Sequence, residues 1–446
     1  MQMQYPRRLA AEALIRIERG GYSNLVLAGL LRDSGFSPRD RAFCSRLVYG
    51  VLERRRLLDA RLAPFLKKPV EKLDAPVRAA LRLGLYQQLY MDAVPSAAAV
   101  NESVKLVRAL GKSSAAGLVN AVLRRAAGPW QPVFHSEVER LGVTCSVSDQ
   151  IAALFLDAFG PQAEPLLAAA FEPPALAVRA NALRTAPAVL IARLKEEGVD
   201  AEEAPVPGGL LLRGAGEVAA LPSFQQGLFH VQGLASQLAA AALDARPGQR
   251  VLDLCAAPGG KSATIAQAMQ NTGELFCCDA AASRLPLIEK LLSRLGVTNA
   301  RVLRNDAARP NPELTAMDRV LCDVPCSGLG VLAKKPDIRY KDLADLPRLI
   351  ETQRAILACG ADALRPGGRL VYSTCTVNPA ENEAVVRGFL AGRQDYRLLP
   401  PPFALPQGTR EAQEVQEAQE DDGMITFLPG TARMDGFFVA CLERLW

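Results

Sequence analysis

A chain of 446 residues with 49% apolar and 22% charged side chains has room for about three domains, each with its own core, and is neither disordered nor fibrous. Charge interrupts its apolar stretches before the roughly 18 residues a membrane span needs, and the opening MQMQYPRRLAAEAL lacks the apolar centre of a secretion signal, so a cytoplasmic protein without membrane contact is expected. The net charge of +5 divides unevenly, 22 Lys and Arg against 10 Asp and Glu over residues 1–127 and 30 against 37 beyond, which points to a polyanionic partner for the N-terminal part.

Residues 1–127 carry apolar positions at helical spacing in Arg8 to Arg19, Arg39 to Leu66, Val77 to Met91, Ala97 to Leu110 and Ala115 to Ala126. Breaks fall at Gly20-Gly21, Ser37-Pro38, Pro76, Pro95 and Gly128-Pro129, so a bundle of five helices over 1–128 is predicted. From 129 to about 170 the helical pattern weakens. A strand-like run at Leu176 to Asn181, a helix at Ala186 to Glu197 and short strands near 200–204 and 210–213 then suggest a small α+β platform, completing a second segment over 129–232. Arg179 and Asn181 are the polar residues of its first strand.

Beyond Gln232 the pattern alternates. Strand-like runs at Arg250–Leu254, Glu274–Asp279, Ala300–Arg304, Arg319–Asp323 and Arg369–Ser373 are separated by helical segments, which predicts a parallel sheet with helices on both faces over 233–446. A final pair, Met424–Leu428 and Gly436–Leu442, is too closely spaced for a crossover helix, so the last strand should run antiparallel. The Glu- and Gln-rich stretch Glu411 to Asp422 reads as a solvated loop.

The first strand of this sheet runs into Cys255-Ala256-Ala257-Pro258-Gly259-Gly260-Lys261, a turn of small residues that lets the main chain approach a ligand. The glycines are adjacent, so the turn is neither GxxxxGK[ST] nor GxGxxG, and ATP and NAD are both disfavoured. Asp279 ends the next strand about twenty residues later, where an acid can take a ribose diol, and Asp306 follows the third strand, where it can sit near an adenine. These spacings fit S-adenosylmethionine.

Ten cysteines are scattered along the chain with no CxxC pair and only His135 and His230 beside them, which argues against zinc or a disulfide framework and leaves free thiols. Two of them stand at the ends of adjacent strand-like runs downstream of the turn: Cys326 in Asp-Val-Pro-Cys-Ser-Gly and Cys375 in Tyr-Ser-Thr-Cys-Thr. A lone cysteine at such a position is ordinarily buried and inert. Two beside a cofactor turn suit nucleophilic attack on a pyrimidine, one thiol adding to the ring and the other helping to release it.

The segments LDLCAAPGGK (252–261), DVPCSGLG (323–330), KPDI (335–338) and YSTCTVNPAENE (372–383) resemble the signatures of the RNA cytosine 5-methyltransferase family. The N-terminal segment, with Arg39-Asp40-Arg41, Tyr49-Gly50-Val51 and Val119 to Arg124, resembles the NusB-type RNA-binding domain. The resemblance implies a NusB-like all-α bundle, an α+β RNA-binding platform and a class I, Rossmann-like methyltransferase domain. It also implies methylation of carbon 5 of a cytosine in 16S ribosomal RNA or a small-subunit precursor, with no DNA partner and a monomeric chain. In that family pattern Cys375 is the nucleophile, Cys326 assists release, and Asp323 supports the base as a partly protonated acid while lining the cofactor site. Spacing alone leaves open which thiol attacks. Lys334, Lys335 and Arg339, with Arg179 and Asn181, are candidate RNA contacts. Transfer RNA as substrate, or a non-catalytic assembly factor, are the competing readings. Two residues depart from the family pattern: Val324 stands where alanine is usual, and Gly233 stands where an acid is common.

Overall fold

In a computed structural model, residues 5–172, 175–403, 423–430 and 433–446 are described; the stretch 411–422 lies outside them. The described chain divides into two compact units, residues 1–164 with 335–342, and residues 165–334 with 343–446.

The first unit is helical: α1 (Pro6–Glu18), α2 (Ser23–Arg32), α3 (Pro38–Glu53), α4 (Arg55–Leu62), α5 (Ala75–Tyr90), α6 (Ser96–Ala109), α7 (Ala116–Ala126), α8 (Glu137–Thr144) and α9 (Asp149–Phe159). The single run expected from Arg39 to Leu66 is two helices. The chain leaves helical geometry at Arg54, whose guanidinium sits over the Tyr90 ring, and the Arg56 N–H donates to Ser146 Oγ. Such a break is made by distant partners, not by a local Gly or Pro. α2 was not expected at all; its apolar face is only partly covered, and Tyr22 and Leu25 point outward. Leu47, Leu58, Leu81, Val107 and Leu123 lie at the centre of the bundle core. Arg82 is buried there between Glu18 and Asp59, with Arg78 also on Glu18 at 2.6 Å.

α10 (Ala163–Ala169) leads to the platform: β1 (Leu176–Ala180), α11 (Pro187–Glu196), β2 (Asp200–Glu203), β3 (Gly209–Arg213), α12 (Pro222–Gln225) and β4 (Phe229–Val231). The strands pair antiparallel in the order β2-β3-β1-β4. Strand alternation sends Val178 and Ala180 to one face, where they pack with Leu190 and Leu194 of α11, and Ala177 to the other.

The remaining elements are α13 (Leu234–Ala242), β5 (Arg250–Asp253), α14 (Gly260–Ala268), β6 (Glu274–Asp279), α15 (Leu285–Leu295), β7 (Ala300–Arg304), β8 (Met317–Asp323), α16 (Leu346–Ala363), β9 (Leu364–Thr374), α17 (Glu383–Gly392), β10 (Tyr396–Leu398), β11 (Met424–Phe427) and β12 (Phe437–Arg444). They build one sheet, β10-β12-β9-β8-β5-β6-β7, with β11 also on β12. β5 to β9 are parallel and β12 runs antiparallel to β9, as expected. β4 and β10, three residues each, are too short to leave a periodic signal. Because the strands β5, β6 and β7 step one way and β8 and β9 the other, the order reverses between β5 and β8. Their carboxyl ends open a crevice where a ligand can bind. Among the described residues, no single helix is long and apolar enough to cross a membrane.

Candidate active site

The turn after β5 lies at this crevice. Gly259 has φ of +105°, a left-handed value, and a Cβ there would come within 3.3 Å of the Ile288 Cα. The Ala256 N–H donates to the Cys278 carbonyl at 2.7 Å, tying the turn to the end of β6. Cys255 is a largely enclosed thiol that burial pushes well up. Lys261, in the first turn of α14, forms an ion pair with Asp323 at 2.7 Å and lies over the Phe437 ring. Asp279 accepts from the Ala281 N–H at 2.9 Å and pairs with Arg284 at 3.2 Å. Asp306 is exposed, caps its own turn through the Ala308 N–H and pairs with Arg309.

Asp253, which ends β5, was not singled out from the sequence. It is buried, accepts a hydrogen bond from Ser262 Oγ at 2.6 Å, and burial pushes it up to about 7. The signal was present in its place, an acid at the strand end immediately before the turn.

The two thiols meet. β8 and β9 are parallel neighbours with Asp323 opposite Ser373, so the loops that follow them start level, and Cys326 Sγ lies 3.2 Å from Cys375 Sγ. The Cys375 sulfur at hydrogen-bond distance, and then burial, push the Cys326 thiol well up. The Gly330 N–H donates to the Cys375 carbonyl at 3.1 Å, and the Gly330 carbonyl accepts from Gly436; a Cβ at Gly330 would strike the Gly436 carbonyl, so only glycine fits this crossing. Asp323 accepts from Lys261 through one oxygen and from Ser373 Oγ at 2.8 Å through the other. Both contacts use Asp323 as an acceptor, where the sequence had suggested an acid that donates. Ser373 had not been anticipated, and neither had Glu381, a buried carboxyl bonded to Ser327 beside Cys326.

The expected RNA contacts scatter. Asn181 is buried and its Nδ2 donates to the carbonyls of Gly227 and Leu295, both at 2.8 Å, so it braces the platform and does not face RNA. Arg339 is fully buried and donates to the Cys145 carbonyl at 2.9 Å; it is a structural residue of the first unit, which corrects its assignment as a phosphate contact. Arg179 is largely enclosed, its guanidinium on the Pro207 carbonyl at 3.0 Å and lowered to about 10 by burial. Lys335 is exposed. Lys334 pairs with Asp435 at 2.5 Å, and a Cβ at Gly233 would lie 2.8 Å from that carboxylate. Asp435 thus brings an acid from β12's entrance to the spot where Gly233 lacks one.

Family models match in three places: the NusB family over residues 4–128, an RsmF/B-like ferredoxin-like domain over 151–219, and the 16S rRNA methyltransferase RsmB/F family over 240–443. The probable ribosomal RNA small subunit methyltransferase B of Synechocystis is 37% identical over 96% of both chains, and that of Bacillus subtilis 35% identical over 98% of both. The crystal structure of PH0851 shares the fold, with a TM-score of 0.82, 24% identity and coverage of 98% of this chain and 99% of that one. From the N-terminal bundle to the last strand, the chain is therefore a member of the ribosomal RNA small subunit methyltransferase B family.

Proposed function

We propose that the protein transfers a methyl group from S-adenosylmethionine to carbon 5 of a cytosine in 16S ribosomal RNA, through a transient bond between Cys375 and the base. The observation that carries this reading is the approach of two thiols to 3.2 Å at the ends of β8 and β9, with the Lys261–Asp323 pair beside them. Methylation at a ring nitrogen or a ribose hydroxyl would need neither sulfur. Carbon 5 of cytosine does, because it becomes nucleophilic only when a thiolate adds to carbon 6.

The residues around the turn fit the cofactor. Asp279 ends β6 and Asp306 follows β7, where carboxylates can accept from ribose hydroxyls and the adenine amine, and Gly259 and the alanines before it leave the backbone open to close approach. When bound, S-adenosylmethionine supplies an electrophilic methyl group. The chain's own groups do the rest. Cys375 adds to carbon 6 as a thiolate, opening the carbon 5–carbon 6 double bond so that its electron pair can take the methyl group at carbon 5; Asp323, oriented by Lys261 and Ser373, accepts a hydrogen bond from the base edge and orients the ring. After methyl transfer the carbon 5 proton passes to solvent water, its electron pair re-forms the carbon 5–carbon 6 double bond, and Cys375 leaves as a thiolate, an elimination that Cys326 assists. Both faces of the ring are used, so the base must be unstacked from its RNA.

With the full-length protein, small-subunit RNA and the methyl donor, Cys326→Ala is expected to trap a covalent protein–RNA adduct that survives denaturing electrophoresis, and Cys375→Ala to form none. Exchange of the two outcomes would overturn the assignment of the nucleophile. Loss of 5-methylcytosine from transfer RNA instead of 16S RNA in cells lacking the protein would overturn the substrate.

A further inference from the structure

Behind the two thiols lies a polar cluster that the proposed chemistry does not use. The Glu381 carboxyl is fully buried and receives four hydrogen bonds, from Ser327 N at 2.8 Å and Ser327 Oγ, from Gln353 Nε2 at 2.9 Å and from Asn378 Nδ2 at 3.0 Å. Four donors on one carboxyl is the full complement of an acceptor-only carboxylate. Ser327 follows Cys326, and its hydroxyl also meets Thr376 Oγ1 at 2.7 Å, the residue after Cys375. Gln353 of α16 reaches on to the Pro325 carbonyl, on the other side of Cys326. The Glu381 carboxyl therefore holds the Cys326 loop at Ser327 and, by way of Gln353, at Pro325, and it reaches the Cys375 loop through Asn378 and through the Ser327–Thr376 hydroxyl pair.

We propose that Glu381 is a positioning residue that locks the two thiol loops in register and sets its charge on the Cys326 side of the pair, so that one sulfur attacks and the other does not compete. This rests on the reading of Cys375 as nucleophile. Glu381 bonds the main chain next to Cys326 directly, and it meets the Cys375 loop through the side chain of Asn378 and through the Ser327 and Thr376 hydroxyls. The groups that act on Cys326 are Cys375 across the pair, Glu381 from the loop before α17 and Tyr372 of β9, whose hydroxyl is bonded to the Glu381 carbonyl at 2.7 Å. The Glu381 charge adds to the effects that hold the Cys326 thiol protonated.

The test follows alkylation of Cys326 by iodoacetamide against pH, read by peptide mass spectrometry on the full-length protein, alongside methyl-transfer turnover. Glu381→Gln is expected to shift the alkylation profile of Cys326 down by about one pH unit and to lower turnover at least about tenfold. Ser327→Ala keeps the charge and removes the bridge to Thr376. It should lower turnover and leave the alkylation profile in place, and it carries the test if Glu381→Gln does not fold. An unmoved Cys326 profile in folded Glu381→Gln, or full turnover in Ser327→Ala, overturns the proposal. The alkylation measurement needs neither RNA nor methyl donor, so it stands or falls separately from the assigned reaction.

Discussion

Two buried polar clusters in this chain are built on opposite plans. In the helical unit Arg82 and Arg78 face Glu18 and Asp59, two cations on two acids, and the charges cancel inside the bundle. Behind the thiols Glu381 is held by four neutral donors, so its hydrogen bonds are complete while its charge is not cancelled by any of them. The first arrangement contributes little beyond its own contacts, because a balanced network has a short field. The second satisfies a carboxylate and leaves its potential acting on the nearest sulfur. Buried charge is structural where it is paired and chemical where only dipoles hold it.

The harshest way to break the comparison is to unpair the balanced cluster. Arg82→Ala strands Asp59, which burial already pushes up, and is expected to cost the helical unit about 3–5 kcal/mol in denaturant melts while leaving Cys326 alkylation unchanged. If the thiol responded as strongly as the fold, the two clusters would not be separable. Asp253 sharpens the contrast as a buried carboxyl with a single side-chain donor, Ser262. Its folded value of about 7 lies above the ordinary carboxylate range, so its contribution is fully present below about pH 4 and is lost as pH rises through 7. Asp253→Asn should therefore match the natural protein in thermal stability near pH 4 and exceed it at pH 8 by on the order of 2–4 kcal/mol. The smallest effect belongs to the partly exposed Lys334–Asp435 pair, where Lys334→Ala should change stability by no more than about 1 kcal/mol, and less in high salt.

The parallel sheet was legible because each of its strands is a short apolar run bounded by turn residues, and the turn after β5 because it lies in seven consecutive residues, Cys255 to Lys261. The thiol pair was legible as two strand-end cysteines. What escaped was set by distant partners. The break at Arg54 depends on Tyr90 and Ser146, and Asn181 and Arg339 look like surface residues until their carbonyl acceptors, from Gly227, Leu295 and Cys145, are in place. Glu381 stood inside a motif already singled out, six residues past Cys375, but its partners Ser327 and Gln353 come from two other segments.

Residues 335–342, the stretch just beyond the Cys326 loop, belong to the first compact unit, with Asp337 accepting from Ser23 and the Arg339 carbonyl from the Ser148 N–H. The helical unit is thus discontinuous in sequence, completed by eight residues that are synthesised long after its other helices. A chain begun at residue 165 would keep Arg339 and lose the Cys145 carbonyl to which its guanidinium donates. A chain ended at 334 would leave the bed of Cys145 and Ser148 bare. Cutting this protein into independently useful halves at a linker is therefore not open to the engineer, and any swap of its N-terminal module must take that octapeptide along.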